Sequence, residues 1–168
     1  YLGVPNHGAI DPSLQLKIRH AYAACISYVD GQIGRLLDAL EGSDRFKNTV
    51  VILWSDHGWH LGEQSAWGKM TNYELATRVP FVISAPDVVP ARTNHLVELV
   101  DLYPTLCDLS HLASPDHLEG ESIVTSLRDP RSPSDDHAMS QYARFGDRYM
   151  GRAIRTADYR YVAWFDNR

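Results

Sequence analysis

Only two cysteines occur in the 168 residues, Cys25 and Cys107, and they are too far apart to form a CxxC pair. A disulfide scaffold is therefore excluded, while the redox compartment stays open. No run approaches the roughly 20 apolar residues that a membrane span requires. Positive charge is not in excess either. The net charge is −5, which argues against a general nucleic-acid binder. Tyr1–Asn6 carries neither a basic cluster nor an apolar stretch, so no signal peptide is read there. The absence of an initiator Met points to a piece of something longer. What is present is ordinary for a globular chain. Hydrophobic residues make up 44% and charged residues 22%, enough apolar surface for one domain of usual size. Lysine is scarce, at three against 13 arginines, and residues 144–168 hold six Arg against three Asp. That stretch suits either an anionic substrate, through the guanidinium fork, or a solvated face of local ion pairs.

The pattern of apolar residues divides the chain. Residues 1–13 read as loop. Ile18, Tyr22, Cys25, Val29, Ile33, Leu36 and Leu40 are spaced 4, 3, 4, 4, 3 and 4, the stripe of one long amphipathic helix. Asp11-Pro12 supplies its start and Gly42 its stop. Thr49–Trp54 is short, β-branched and apolar throughout, like a strand buried on both faces of a parallel sheet. Val79–Ala85 reads as a second strand and Val97–Val100 as a short third. Asp101 is placed to cap a helix through Leu109, with Pro104 tolerated in its first turn. Residues 113–137 form a connecting segment. Residues 153–165 read as two strands joined by a turn at Ala157-Asp158, a unit that looks incomplete. Both cysteines read as small core residues on helices.

The chemistry concentrates in Ser55-Asp56-His57-Gly58-Trp59-His60-Leu61-Gly62-Glu63 and in Trp67-Gly68-Lys69. A carboxylate and an imidazole stand together at a strand end, where open α/β sheets place their ligands. An ammonium follows 12 residues after His57. Asp56 can ligate a hard divalent cation, and Lys69 can neutralise an oxyanion held against it. Gly58 lets the backbone turn after the pair. The bland alternative stays open from spacing alone: Asp56 capping a turn, His57 at the surface, Lys69 solvated. A zinc site from His57, His60 and Glu63 needs a helix, and Gly58 and Gly62 argue against one.

SDHGWHLGEQSAWGK followed by TNYELATRVPFVISAP resembles the sulfatase family of the alkaline phosphatase superfamily, and within it the iduronate-2-sulfatase group. KIRHAYAACISYVDGQIGRLLDAL resembles the helix before the metal-site strand, LVELVDLYPTLCDL the segment after it, and MGRAIRTADYRYVAW the start of the smaller C-terminal sheet. The resemblance covers residues 17–165, poorly over 111–137. It implies that Asp56 and His57 help to bind an active-site Ca2+, although calcium prefers oxygen to imidazole. It implies that Lys69 contacts the sulfate ester as a catalytic and substrate-binding residue. It places Trp59, His60 and Trp67 in the loop beside that site, where Trp59 and His60 can line a sugar pocket.

The same resemblance marks what this chain lacks. Sulfatases use a formylglycine made from Cys or Ser in a Cys/Ser-x-Pro-x-Arg motif, and neither cysteine nor any serine here fits it. The family's N-terminal pair of Asp ligands is missing too. The expected fold is α/β, a mixed, largely parallel sheet flanked by helices, lacking its N-terminal part. Residues 1–137 are expected to be the C-terminal part of the catalytic domain, and residues 138–168 the start of a small antiparallel subdomain. The expected parent activity is sulfuric ester hydrolysis on a sulfated carbohydrate, with the missing N-terminal part as partner and neither nucleic acid nor membrane. A phosphodiesterase or phosphonate monoester hydrolase of the same superfamily, or a non-catalytic truncated sulfatase, is the alternative. The isolated chain is expected to be inactive.

Overall fold

The computed structural model of the chain describes residues 10–133 and 137–168. In chain order its elements are α1 (Pro12–Glu41), β1 (Val51–Trp54), β2 (His60–Leu61), β3 (Trp67–Gly68), α2 (Glu74–Thr77), β4 (Phe81–Ser84), α3 (Leu102–Leu109), α4 (Val124–Arg128), β5 (His137–Arg144), β6 (Tyr149–Thr156) and β7 (Arg160–Asp166). They fall into two compact units. One takes residues 10–49 with Trp59–Lys69, the other Val50–Gly58 with Met70–Arg168. No helix among the described residues is long and apolar enough to cross a membrane.

In the first unit α1 begins as its sequence dictates. The Asp11 carboxylate accepts from the amides of Ser13 and Leu14, Pro12 opens the helix, and Gly42 follows its end. The loop expected over residues 1–13 lies outside the described residues as far as residue 9. The amphipathic stripe is present but only partly covered. Ile18, Tyr22, Ile33 and Leu40 are half-buried, whereas Cys25, Val29 and Leu36 are exposed. Cys25 is therefore not a core residue: it is exposed, as are Val29 and Leu36 on the same stripe. The loop that holds Trp59, His60 and Trp67 contains the short antiparallel hairpin β2–β3, two residues to a strand.

In the second unit β1 pairs with β4 in antiparallel register, Val51↔Ser84 through Trp54↔Phe81. This corrects the largely parallel expectation for the strands of this chain, since every pair among the described residues is antiparallel. A parallel pair needs a crossover, normally a helix. The stretch between β1 and β4 holds only a hairpin and the single turn of α2, while the long helix precedes both strands. Leu53 and Trp54 point to opposite faces and are both exposed, so the C-terminal end of β1 is not buried on both faces as expected. Leu99–Asp101 is a 3-10 turn, not the strand expected at Val97–Val100. The buried Asp101 carboxylate is spent on the amides of Glu98 (2.8 Å) and Glu121 (3.0 Å) instead of capping α3. The Glu121 bond, with that of the Ile123 amide to the Thr105 hydroxyl (3.1 Å), ties the connecting segment, which also contains α4, to α3 and the residue before it. Cys107 is buried on α3 as expected. The C-terminal sheet runs β5–β6–β7 in an antiparallel meander, turning at residues 157–159 where Ala157-Asp158 predicts it.

Candidate active site

Ser55–Gly58 leaves the C-terminal end of β1 and carries the first two candidate residues. Asp56 is open to solvent and His57 is half-buried. The Ser55 hydroxyl donates to the His57 carbonyl (2.7 Å), which closes the turn. The His57 ring meets the Gly58 carbonyl through Nδ1 at 2.9 Å. A carbonyl only accepts, so Nδ1 donates in this contact. Nε2 then lies 3.3 Å from Asp56 Oδ2. A proton on Nε2, or a cation shared with the carboxylate, stabilises an approach of that kind. The pair thus fits part of a divalent-cation site. Among the described residues no third His, Cys, Asp or Glu joins it to make a group of three.

Gly58 is required for a different reason from the one its sequence position suggests. Its amide donates to the Ala76 carbonyl at 2.9 Å, drawing the turn onto α2. A Cβ at residue 58 would stand 1.8 Å from the Leu75 carbonyl oxygen. Close approach of two backbones, rather than a left-handed turn, makes glycine necessary.

The other candidates sit on the β2–β3 hairpin of the first unit. Arg19 on α1 donates through Nε to the Leu61 carbonyl (2.9 Å), and its guanidinium stands over the Trp67 ring at 5.7 Å. Tyr22, one turn further along, stacks on Trp59 with ring centroids 6.2 Å apart. Glu63 accepts from the Leu61 amide at 2.7 Å. That bond and its own amide hold the Glu63 carboxyl below its ordinary range, with His60 and Arg19 adding positive charge. His60 is fully buried, opposite Gly68. As folded here it offers no surface to a substrate and serves as framework for the hairpin. Gly68 adopts φ +107°, which only glycine holds without strain, and so sets the exit of the chain into the half-buried Lys69. Trp59 is half-buried against Tyr22. Sequence reasoning missed Arg19 and Tyr22 as supports, because the α1 periodicity marks Tyr22 as packing and Arg19 as solvated.

Comparison with known proteins settles the family. The model for the Sulfatase family matches residues 6–112. The chain belongs to the sulfatase family. A second model, N-sulphoglucosamine sulphohydrolase, C-terminal, matches residues 62–168 of this sulfatase chain. The chain is 35% identical over 159 residues to a sulfatase of Formosa agariphila, covering 94% of itself and 30% of that protein. It is 33% identical over 223 residues to human iduronate 2-sulfatase, covering 97% of itself and 40% of that enzyme. Among solved structures it resembles a 2-O GAG sulfatase (TM-score 0.73, 28% identity, 82% of this chain and 32% of that one). It also resembles a phosphonate monoester hydrolase of Silicibacter pomeroyi (TM-score 0.78, 26% identity, 99% and 38%). The α/β, alkaline phosphatase-like fold class expected from the sequence holds. The chain spans 30 to 40% of the length of these curated relatives.

Proposed function

We propose that this chain is part of a sulfuric ester hydrolase acting on a sulfated carbohydrate, and that it supplies a metal-ligand pair and a sulfate-contacting lysine. The observation that carries the reading is the Asp56–His57 pair: two lone-pair donors brought together at a strand end, in a chain of the sulfatase family. Asp56 Oδ2 and His57 Nε2 would hold a divalent cation, Ca2+ by family resemblance. When bound, such an ion polarises sulfate oxygens and offsets their charge. Ligation through Nε2 requires the ring proton on Nδ1, and there the Gly58 carbonyl would accept it. Lys69 contacts the sulfate and balances negative charge that builds up as the ester bond breaks. Trp59 borders the sugar.

The nucleophile comes from outside this sequence, since no Cys/Ser-x-Pro-x-Arg motif occurs in it. The remainder of the enzyme is the partner. Its docking is supported by the uncovered apolar surface: Leu36 of α1 is 71% exposed and Trp54 of β1 45% exposed. Residues 138–168 start the small C-terminal subdomain, and residues 1–137 belong to the catalytic domain. The likeness to a phosphonate monoester hydrolase over 99% of this chain favours a second reading, hydrolysis of phosphonate or phosphate esters by the same frame.

One assay separates these readings. The full-length enzyme is given an aryl sulfate and an aryl phosphonate at equal concentration. Faster turnover of the sulfate is expected, and preference for the phosphonate would select the second reading. The 168-residue chain alone should turn over neither, and it should bind calcium weakly, because six to eight ligands are normally needed and two are present. Submicromolar calcium binding by the chain alone would contradict this assignment.

A further inference from the structure

The turn bearing Asp56 and His57 does not stand alone. Gly58 is bonded to the Ala76 carbonyl, and Ala76 belongs to α2, a helix of four residues. One turn of helix has almost no stability of its own. Something else must hold it, and the contacts of its first residue show what does. Arg160 on β7 donates to Glu74 Oε2 through Nε (3.0 Å), and its Nη2 stands 2.9 Å from the same oxygen in an ion pair. Arg155 on β6 donates through Nε to the same oxygen at 3.2 Å. Arg78 adds a longer contact to Oε1 at 3.7 Å. Arg160 also donates through Nη1 to the Asn72 carbonyl, and the buried Asn72 side chain donates to the Gly151 carbonyl, both at 2.9 Å. Residues 72–74 are thus fastened to the C-terminal sheet at several points.

The sheet register explains why an acid is needed there. Arg155 and Arg160 are direct cross-strand partners, the last pair before the β6–β7 turn. Like charges facing each other across a ladder are destabilising. Glu74 lies on both guanidiniums and removes that repulsion. Burial pushes its carboxyl up, but the hydrogen bonds and charges of Arg160 and Arg155 prevail and hold it below the ordinary range.

We propose that Glu74 is a positioning residue for the Asp56–His57 pair: clamped by Arg155 and Arg160, it fixes α2, and α2 through the Ala76 carbonyl fixes Gly58 and the direction of the His57 ring. The proposal rests on the reading above that this pair ligates a cation. There is no slack in the linkage, since the Leu75 carbonyl fills the space where residue 58 would carry a Cβ. Movement of α2 is passed to the turn rather than absorbed.

The test compares wild type, Glu74→Gln and Arg160→Lys in the full-length protein by three measurements: hydrogen exchange at the Gly58 amide, calcium dissociation by calorimetry, and thermal melting. Glu74→Gln should speed Gly58 exchange and weaken calcium by about tenfold each, the low end of what supporting residues around metal ligands contribute. Arg160→Lys keeps one donor in place of the fork and should shift both in the same direction by less. Amides of β5 should be little changed, which separates loosening of the turn from general loss of stability. Gly58 exchange and calcium affinity within about twofold of wild type in Glu74→Gln would overturn the proposal, whatever the melting temperature. If Glu74→Gln does not fold, Arg160→Lys is read by the same two criteria. If wild type binds no calcium, the metal reading fails, and Gly58 exchange alone decides whether Glu74 positions the turn.

Discussion

The turn after β1 and the hairpin ending at Lys69 both carry candidate site residues, but they are held by different kinds of contact. The turn is joined to α2 by a backbone bond, Gly58 to Ala76, and closed by its own side chains on its own carbonyls, the Ser55 hydroxyl on His57 and the His57 ring on Gly58. The hairpin is fixed by side chains of α1, with Arg19 bonded to Leu61 and placed over Trp67, and Tyr22 stacked on Trp59. A backbone-held turn admits no added atom at its contact point. A side-chain-held hairpin loses its supports one at a time, each removal costing a part of the whole. The difference suits the proposed tasks. Ligands of a cation need fixed geometry, whereas a lysine with four rotatable carbons tolerates small shifts of its backbone.

The sharpest test falls on the hairpin. Lys69→Ala in the full-length enzyme should lower kcat/KM by on the order of a hundredfold, about 2.7 kcal/mol of transition-state stabilisation, with an unchanged melting temperature. Lys69→Arg should also be impaired, because a planar fork does not replace a compact ammonium. Steady-state kinetics and melts on the same preparations decide it, and near-normal turnover of the alanine variant would remove Lys69 from the site. On the turn, Gly58→Ala forces a methyl against the Leu75 carbonyl. It should cost about 2 kcal/mol of stability by denaturant titration and weaken calcium binding at the same time. If the backbone of that turn yields freely, neither change will be seen, and the contrast between the two regions collapses.

Smaller effects sharpen the comparison. Arg19→Ala removes one hydrogen bond and one cation–π contact and should cost about 1 kcal/mol, loosening the hairpin without touching the Gly58 amide. Exchange measurements that report loosening at Gly58 instead would show the two regions to be coupled. The smallest effect concerns acid. Glu74, facing Arg78, Arg155 and Arg160, has its folded-state pKa lowered from 4.5. A carboxyl with a depressed folded pKa contributes stability that is complete above its unfolded pKa and is lost as pH falls through the folded one. Melting temperature should therefore decline below about pH 4.5 with a part that vanishes in Glu74→Gln. An acid limb of equal steepness in both proteins would show that Glu74 adds nothing to it.

Much of this was legible in advance, and what was missed shares a cause. The Asp11-Pro12 start and Gly42 stop of α1, the strands at Val51–Trp54 and Phe81–Ser84, and the turn at Ala157-Asp158 follow from local chemistry. The direction of β1 against β4 does not, because periodicity reports which faces are apolar and not which strand lies alongside. Nor does the exposure of Cys25, since a stripe marks a face that wants covering without saying whether a layer is present. Residues 97–100 have strand-like composition, but the Asp101 carboxylate draws the chain into a 3-10 turn through the Glu98 amide. At the candidate site the sequence places Asp56 and His57 at a strand end, yet it cannot tell that His60 is wholly buried.

By itself the sequence determined the residue types: a carboxylate and an imidazole side by side, a lone lysine beyond a glycine, and the ordered motifs that mark a sulfatase. Those properties are covalent or local, and a linear reading retains them. Only the tertiary structure decided that Gly58 is required by the Leu75 carbonyl, and that Glu74 stands on two arginines 81 and 86 residues away. Each of these is a contact between backbone or side-chain atoms whose distance is set by packing, and packing depends on segments that the local sequence does not name.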